Sequence, residues 1–329
     1  MTNENEQDKD FLGPHRMVRS NARGLGSPPR TVKAYALSVQ ERVRVARGTP
    51  QAVVKITSYV RGRSQCHRHW SYISRKGKLE LETESGEILT DLDAQRSVLD
   101  AWALRFDNRK NGRDQVHVVV SAPRGTDARA VREAARAFGQ EAFAGQRYVF
   151  ALHDPDTDTK TKQPHVHFAV ALRGVDKKLN PRLKDLHRWR ELWASKARGQ
   201  GIELACSPRG VRGVGRRRPK SAIYHMQERR FRPETVKLAA KDAIATTGDT
   251  TWEHYTRERN RLEREAYRQS AARLRKSAEA RPEAERQKIG KLAMELDQYA
   301  KRMPIAKTRR QQMREAITRG RQHNHDLER

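Results

Sequence analysis

Residues 147–174 read "RYVFALHDPDTDTKTKQPHVHFAVALRG". Two runs rich in branched and aromatic residues flank a polar loop, so the stretch predicts a pair of antiparallel strands. The first run ends at His153, and the second opens with His165 and His167. Residues two apart on a strand share one face, and pairing of the two strands brings His153 beside the other two. His-x-His also occurs at His67/His69 and His323/His325, so this spacing alone singles out nothing. Three imidazoles converging at strand ends do. They form a facial metal site with open positions, the arrangement a catalytic metal requires. The loop adds Asp154, Asp156 and Asp158, any of which can orient an imidazole or accept a proton.

Working outward, "AVVKITSYV" (52–60) and "QVHVVVSAP" (115–123) are further strands, dense in β-branched residues. "SRKGKLELETESGEILT" (74–90) alternates Leu79 and Leu81 with charge and turns at Ser85-Gly86, as a hairpin does. "DLDAQRSVLDAWALRF" (91–106) predicts a helix starting near Asp91 or Asp93, with Val98, Leu99, Trp102 and Leu104 inward. A second helix follows Thr126, read as its N-cap, and turns Val131, Ala134, Ala135 and Phe138 to the core. A third, over 183–199, buries Leu186, Trp189, Leu192 and Trp193. This order predicts an α/β (α+β) sandwich, one mainly antiparallel sheet with helices packed on it.

The rest of the chain has a different texture. Residues 1–48 lack apolar periodicity, hold "GLGSPPR", and read as a disordered basic segment. Residues 49–212 contain the folded module. Residues 213–329 are dense in Arg, Glu, Gln and Ala and predict exposed helices, partly disordered, with no core of their own. Across all 329 residues, 69 Lys and Arg face 40 Asp and Glu, a formal charge of +29. Such an excess points to a polyanionic partner, and nucleic acid fits better than membrane, since no long apolar span is present. Cys66 and Cys206 form no CxxC pair, which argues against a disulfide framework or a cysteine zinc site. The polar opening "MTNENEQDKD" does not read as a signal peptide, so a cytoplasmic location is expected.

A metal site on a very basic protein suggests phosphodiester chemistry, and the motifs agree. "YISRKGKLEL" resembles the nucleophile motif of the conjugative relaxases, DNA strand transferases of the HUH endonuclease superfamily. Within them it is similar to the relaxases that cut T-DNA borders in plant-transforming bacteria. "VVVSAPRGT" resembles the second motif of that group, and "HDPDTDTKTKQPHVHFAV" the third. They occur in the family's order within residues 50–205.

The resemblance implies that Tyr72 is the nucleophile and that His153, His165 and His167 hold a divalent metal, Mg²⁺ or Mn²⁺. It implies that Ser121, with Arg124 and Thr126 of the same motif, helps hold DNA. The family carries an aspartate two residues after the first histidine; here Pro155 stands there, between Asp154 and Asp156. Of the two, Asp156 is favoured as the supporting carboxylate. The implied fold is an antiparallel sheet of about five strands with packed helices. The implied reaction nicks one strand of supercoiled plasmid DNA at its origin of transfer, leaving a 5′-phosphotyrosyl link. The protein would then pilot the single strand through a type IV secretion coupling protein into another cell, with relaxosome accessory proteins as partners and no membrane insertion.

Around Tyr72, the polar residues Ser74, Arg75, Lys76 and Lys78 read as contacts to the DNA backbone. Cys66, His67 and His69 lie close together but lack a fourth ligand, which argues against zinc. Trp70, Trp189 and Trp193 read as core. "GRRRPK" (215–220) is either a solvated basic linker or a nucleic-acid contact. Two other functions compete with the relaxase: a replication initiator or transposase of the same superfamily, and a non-catalytic basic DNA-binding protein. Only the last is excluded by a covalent protein–DNA product.

Overall fold

The computed structural model describes residues 31–107, 112–158, 161–174, 178–214, 234–245 and 248–327. The described chain divides into two compact units, one within residues 49–206 and the other from residues before 49 and after 206. "GRRRPK" and residues 1–30 lie outside the described residues.

The first unit is built on one sheet. Its strands are β1 (Val53–Val60), β2 (Leu81–Thr83), β3 (Ile88–Leu89), β4 (Gln115–Ser121), β5 (Tyr148–His153) and β6 (His165–Ala171). They lie in the order β1-β4-β6-β5-β2-β3, and each pairing is antiparallel. The expected sheet is therefore present, with the short β3 as a sixth strand.

Alternation along the central strands gives the sheet two different faces. One face carries Val116, Val118, Val120, Phe150, Leu152, Val166, Phe168 and Val170. Helices α4 (Ala128–Ala142) and α5 (Leu183–Gly199) cover it through Phe138, Trp189 and Trp193. The opposite face is lined by smaller residues, among them Ala151, Ala169 and Ala171. Those alanines leave room for Trp70 of α2 (Gly62–Ile73) and Trp102 of α3 (Leu92–Ala103), whose rings meet edge-on at 4.8 Å. All three tryptophans read as core are buried.

Two details of the sequence reading change. Leu104 is 88% exposed, because α3 ends at Ala103 and the next residue no longer follows its apolar face. Asp127 rather than Thr126 caps α4, accepting from the Ala130 N–H at 2.8 Å. Thr126 instead donates its hydroxyl to the Pro123 carbonyl. The cap of α3 is Asp91, the first of the two starts that the sequence offers.

The second unit corrects the expectation of a coreless tail and, over residues 31–48 alone, that of a segment without structure. Helix α1 (Val39–Ala46) forms within residues 1–48, capped by Ser38. Two long helices, α7 (Thr251–Ala278) and α8 (Glu283–Arg302), follow the shorter α6 (Glu234–Ala245) and precede α9 (Arg309–Leu327). Val43, Val45, Val211, Tyr267, Ala271, Ala293, Leu296, Ala300 and Met303 form one buried cluster. Val211 belongs to this cluster, so the boundary between units falls near residue 206 rather than 212. The 3₁₀ turn Arg209–Arg212 closes on Gly213, where a Cβ would lie 1.9 Å from the Pro304 carbonyl oxygen. Only glycine fits there. Among the described residues, no helix is long and apolar enough to cross a membrane.

A buried ion pair ties α1 to α7: the Arg42 guanidinium donates to Glu263 at 3.2 Å, with side chains 3% and 0% exposed. Arg42 also donates to the Tyr35 carbonyl, and Glu263 accepts from the Tyr35 N–H. Removing one partner strands the other without solvent. Glu263→Ala is expected to destabilise the second unit by about 3–5 kcal/mol. Arg44→Ala, at a partly exposed pair, is expected to cost under about 1 kcal/mol; denaturant unfolding followed by circular dichroism measures both.

Candidate active site

The register of three strands assembles the site. His153 of β5 pairs with His165 of β6, and Val119 and Ser121 of β4 pair with His167 and His165. His153, His165 and His167 thus share the alanine-lined face, all buried, with ligand atoms within 4.8 Å of one another. The three residues predicted from the loop and strand pattern do come together.

Their hydrogen bonds decide which ring nitrogens are available. His153 Nε2 lies 2.6 Å from the Ile73 carbonyl, and His165 Nδ1 lies 3.1 Å from the Gln163 carbonyl. A carbonyl only accepts, so these nitrogens carry the hydrogens and the opposite nitrogens keep their lone pairs. His153 Nδ1 is accordingly a buried nitrogen with no hydrogen-bond donor, and the Asp158 carboxylate stands 3.4 Å from it. A lone pair facing a carboxylate inside a histidine cluster is the surrounding a cation satisfies, so the residues fit a divalent metal.

Burial keeps the trio neutral. Desolvation pushes His153 down to about 4, and it lowers His165 and, further, His167. Neighbouring imidazoles add to the shifts of His153 and His167. Neutral imidazole is the form that ligates a metal.

Helix α2 delivers Tyr72 to this place. Gly62 opens the helix at a φ of 67°, its N–H donating to Asp114 at 2.7 Å. Cys66, Trp70 and Ile73 face inward, and the helix ends where the Ile73 carbonyl meets His153. That end carries the negative pole of the helix dipole, which favours a nearby cation. Tyr72 is 56% exposed, with its ring 6.2 Å from that of His167. An exposed phenol beside a buried imidazole cluster is not held there by core packing.

The residues after Tyr72 do not all behave as read from the sequence. Arg75 and Lys76 adopt left-handed backbone at φ 52° and 61°, and Gly77 follows at 80°. The Lys76 N–H closes this turn on the Ser71 carbonyl at 2.7 Å. Ser74 is fully buried, donating to Gln95 and accepting from the Gly77 N–H. Its place is inside the turn, not on a DNA-facing surface. Arg75 donates twice to Asp158, at 2.9 and 2.6 Å, and its guanidinium lies 5.5 Å from the Tyr72 ring. Lys76, Lys78 and Arg124 are exposed, and Ser121 lies on the trio's face opposite His165.

The carboxylate next to the trio is Asp158. Asp154 instead accepts from the Asp156 and Thr157 N–H groups and the Thr157 hydroxyl, holding the loop, and Asp156 is exposed. Sequence reasoning also missed His117, whose imidazole contacts His167 at 2.7 Å. The signal was present in "QVHVVVS", where a histidine interrupts an apolar strand. Cys66 is buried in the packing of α2 and His69 is half-buried, while His67 accepts from Arg96 at the surface. They do not gather into a metal group.

Residues 72–202 match the family model described as relaxase, MobA/VirD2-like, nuclease domain. Over this stretch the chain is similar to the relaxases. The matched residues begin at Tyr72 and contain the histidine trio. The T-DNA border endonuclease VirD2 of Rhizobium radiobacter is 28% identical over 198 residues, covering 54% of this chain. The chain spans 45% of that relative's length, less than half. A solved chain from work on the molecular basis of vancomycin resistance transfer in Staphylococcus aureus has a TM-score of 0.34 and 15% identity. It is matched over 98% of its length and 48% of this chain. The relaxase-like stretch lies wholly within the first unit.

Burial of the histidines has a consequence for acid stability. Each has a folded pKa below its unfolded value, so below about pH 6.5 the unfolded chain binds more protons. Stability of the metal-free protein therefore falls as pH drops from about 6.5 toward 4, by up to about 1.4 kcal/mol per pH unit for each histidine. Burial lowers His117 well below its ordinary value too, so urea unfolding at pH 7 and pH 5 is expected to show this loss, reduced in His117→Phe.

Proposed function

We propose that the protein is a relaxase that nicks one DNA strand at a plasmid origin of transfer by attack of Tyr72. The observation that carries this reading is the convergence of three neutral, buried imidazoles beside an exposed tyrosine at the end of α2. A divalent ion held by His153, His165 and His167, Mg²⁺ or Mn²⁺ in kind, would polarise the scissile phosphodiester and offset its developing charge.

The protein's own groups do the rest. The Tyr72 oxygen gives up its proton and bonds to phosphorus, while the bond from phosphorus to the 3′-oxygen breaks. That oxygen takes up a proton and leaves as a 3′-hydroxyl, and the 5′-phosphate stays on the tyrosine. The exchange is one ester for another, so the link can later be reversed to rejoin the strand. Arg75 lies beside the Tyr72 ring, and its ion pair with Asp158 holds it there. Lys76, Lys78 and Arg124 are exposed around the site and suit contacts to the DNA backbone. Ser121, on the face of the trio, and Thr126 in the turn that follows extend that surface along the second motif.

The test is a covalent adduct. Incubated with single-stranded origin oligonucleotides and Mn²⁺, the wild-type protein is expected to give a product retarded on denaturing gels. Tyr72→Phe removes only a hydroxyl, so it keeps fold and DNA binding and loses the adduct by at least about 10³-fold. His165→Ala with His167→Ala is expected to lose Mn²⁺ binding and adduct together. An adduct formed by the Phe variant excludes Tyr72 as the nucleophile.

We place the cutting chemistry within residues 49–206 and assign the second unit to DNA retention and partner recognition, including a type IV secretion coupling protein. A fragment of residues 49–206 is expected to fold and form the adduct. Its DNA affinity falls less steeply with salt, the log–log slope flattening by about 0.7 for each single-strand phosphate that the fragment no longer neutralises. Mating frequency is expected to drop far more than oligonucleotide cleavage for the same truncation; equal losses would put the second unit inside the catalytic machinery.

A further inference from the structure

The imidazole on β4 has no part in the chemistry above. His117 is buried on the trio's face, and its Nε2 lies 2.7 Å from His167 Nδ1. Its Nδ1 lies 2.6 Å from the Thr57 hydroxyl. Thr57 occupies an irregularity of β1, where pairing with β4 passes from Ile56↔Val118 directly to Ser58↔His117. Such a bulge re-aims one side chain, and here the chain that is re-aimed meets His117.

Proton accounting gives the run a direction. His153 and His165 have their ring hydrogens fixed by backbone carbonyls, which no side-chain change removes. His167 has no such carbonyl among its contacts; its Nδ1 faces another imidazole, which can accept only if its own hydrogen sits on Nδ1. Thr57 provides that condition. Its hydroxyl donates to the His117 carbonyl at 3.4 Å, which leaves the oxygen lone pairs to accept from His117 Nδ1–H. Each donor along Thr57, His117 and His167 then has an acceptor, and the lone pair left over is at His167 Nε2, among the trio.

We propose that His117, set by Thr57, is a positioning residue that holds His167 in the Nδ1–H tautomer and turns its Nε2 lone pair to the metal. The inference rests on the metal reading of the trio. A ligand that spends time as the other tautomer must move a proton before it can bind, and partners of this kind commonly account for about 10–100-fold in metal affinity. His69, edge-on to His117 at 4.2 Å, packs behind it and accepts from Gln115 at 2.7 Å. It supports the ring without joining the run.

The experiment uses the full chain with His117→Leu, His117→Gln and Thr57→Val. Long-range proton–nitrogen NMR on the metal-free proteins reports the His167 tautomer, and calorimetry with Mn²⁺ reports affinity. Wild type is expected as Nδ1–H. Glutamine keeps that form, because its Oε1 can accept, and binds Mn²⁺ nearly as wild type. Leucine gives mixed tautomers and binds about 10–100-fold more weakly, and Thr57→Val shifts both readouts the same way by less. An Nε2–H tautomer in wild type, or Mn²⁺ binding by the folded leucine variant equal to wild type, overturns the proposal. If wild type binds no Mn²⁺, the metal reading falls, while the metal-free tautomer still decides the part played by His117. If the leucine variant does not fold, the wild-type tautomer and Thr57→Val decide it.

Discussion

Pairing of β5 with β6 sets His153 opposite His165 and leaves His167 two residues further along the same face. A slip of one residue in β6 would send both of its histidines to the face occupied by Phe138, Phe168 and Trp193, where no polar partner waits. The aromatic packing on that second face makes the slip prohibitive, since Phe168 and Val170 would move out of the core they now fill. The hydrophobic face thus holds the register that the polar face needs.

Much of the first unit was legible because its rules are local. β-branched runs, a Ser-Gly turn and an aspartate before an apolar helix each predict their element from a few residues. The trio followed from strand spacing, since alternation is nearly rigid geometry. Asp158 was not legible, because three aspartates at alternate loop positions look alike until the backbone turns. Asp154 is consumed by the loop's own N–H groups, Asp156 is left at the surface, and Asp158 reaches Arg75 and His153. Ser74 misled for a related reason: a polar residue beside basic ones reads as surface, yet its hydroxyl satisfies a tight turn.

The second unit shows where composition misleads. Its buried cluster joins four alanines and three valines to Tyr267, Leu296 and Met303, residues far apart in sequence. Small residues let α7 and α8 pack closely, but they give a weak apolar signal in a window scan. Much of the remaining cohesion is polar: Arg42 with Glu263, Asn260 with both backbone groups of Ala306, and the Thr250–Glu253 capping box. A segment of this kind reads as solvated helix until its partners are known, because the charges that look exposed are in part the ones that hold it together.

The bond from His153 to the Ile73 carbonyl joins two parts of the site that are otherwise distinct. One nitrogen of the ring ends the helix that carries Tyr72, while the other faces the trio. A ring orientation that suited an ion would therefore also suit that helix end, and the two would form a single linked equilibrium. Such coupling is reciprocal: whatever steadied the end of α2 would tighten the hold of these rings on an ion by the same factor that the ion steadied α2.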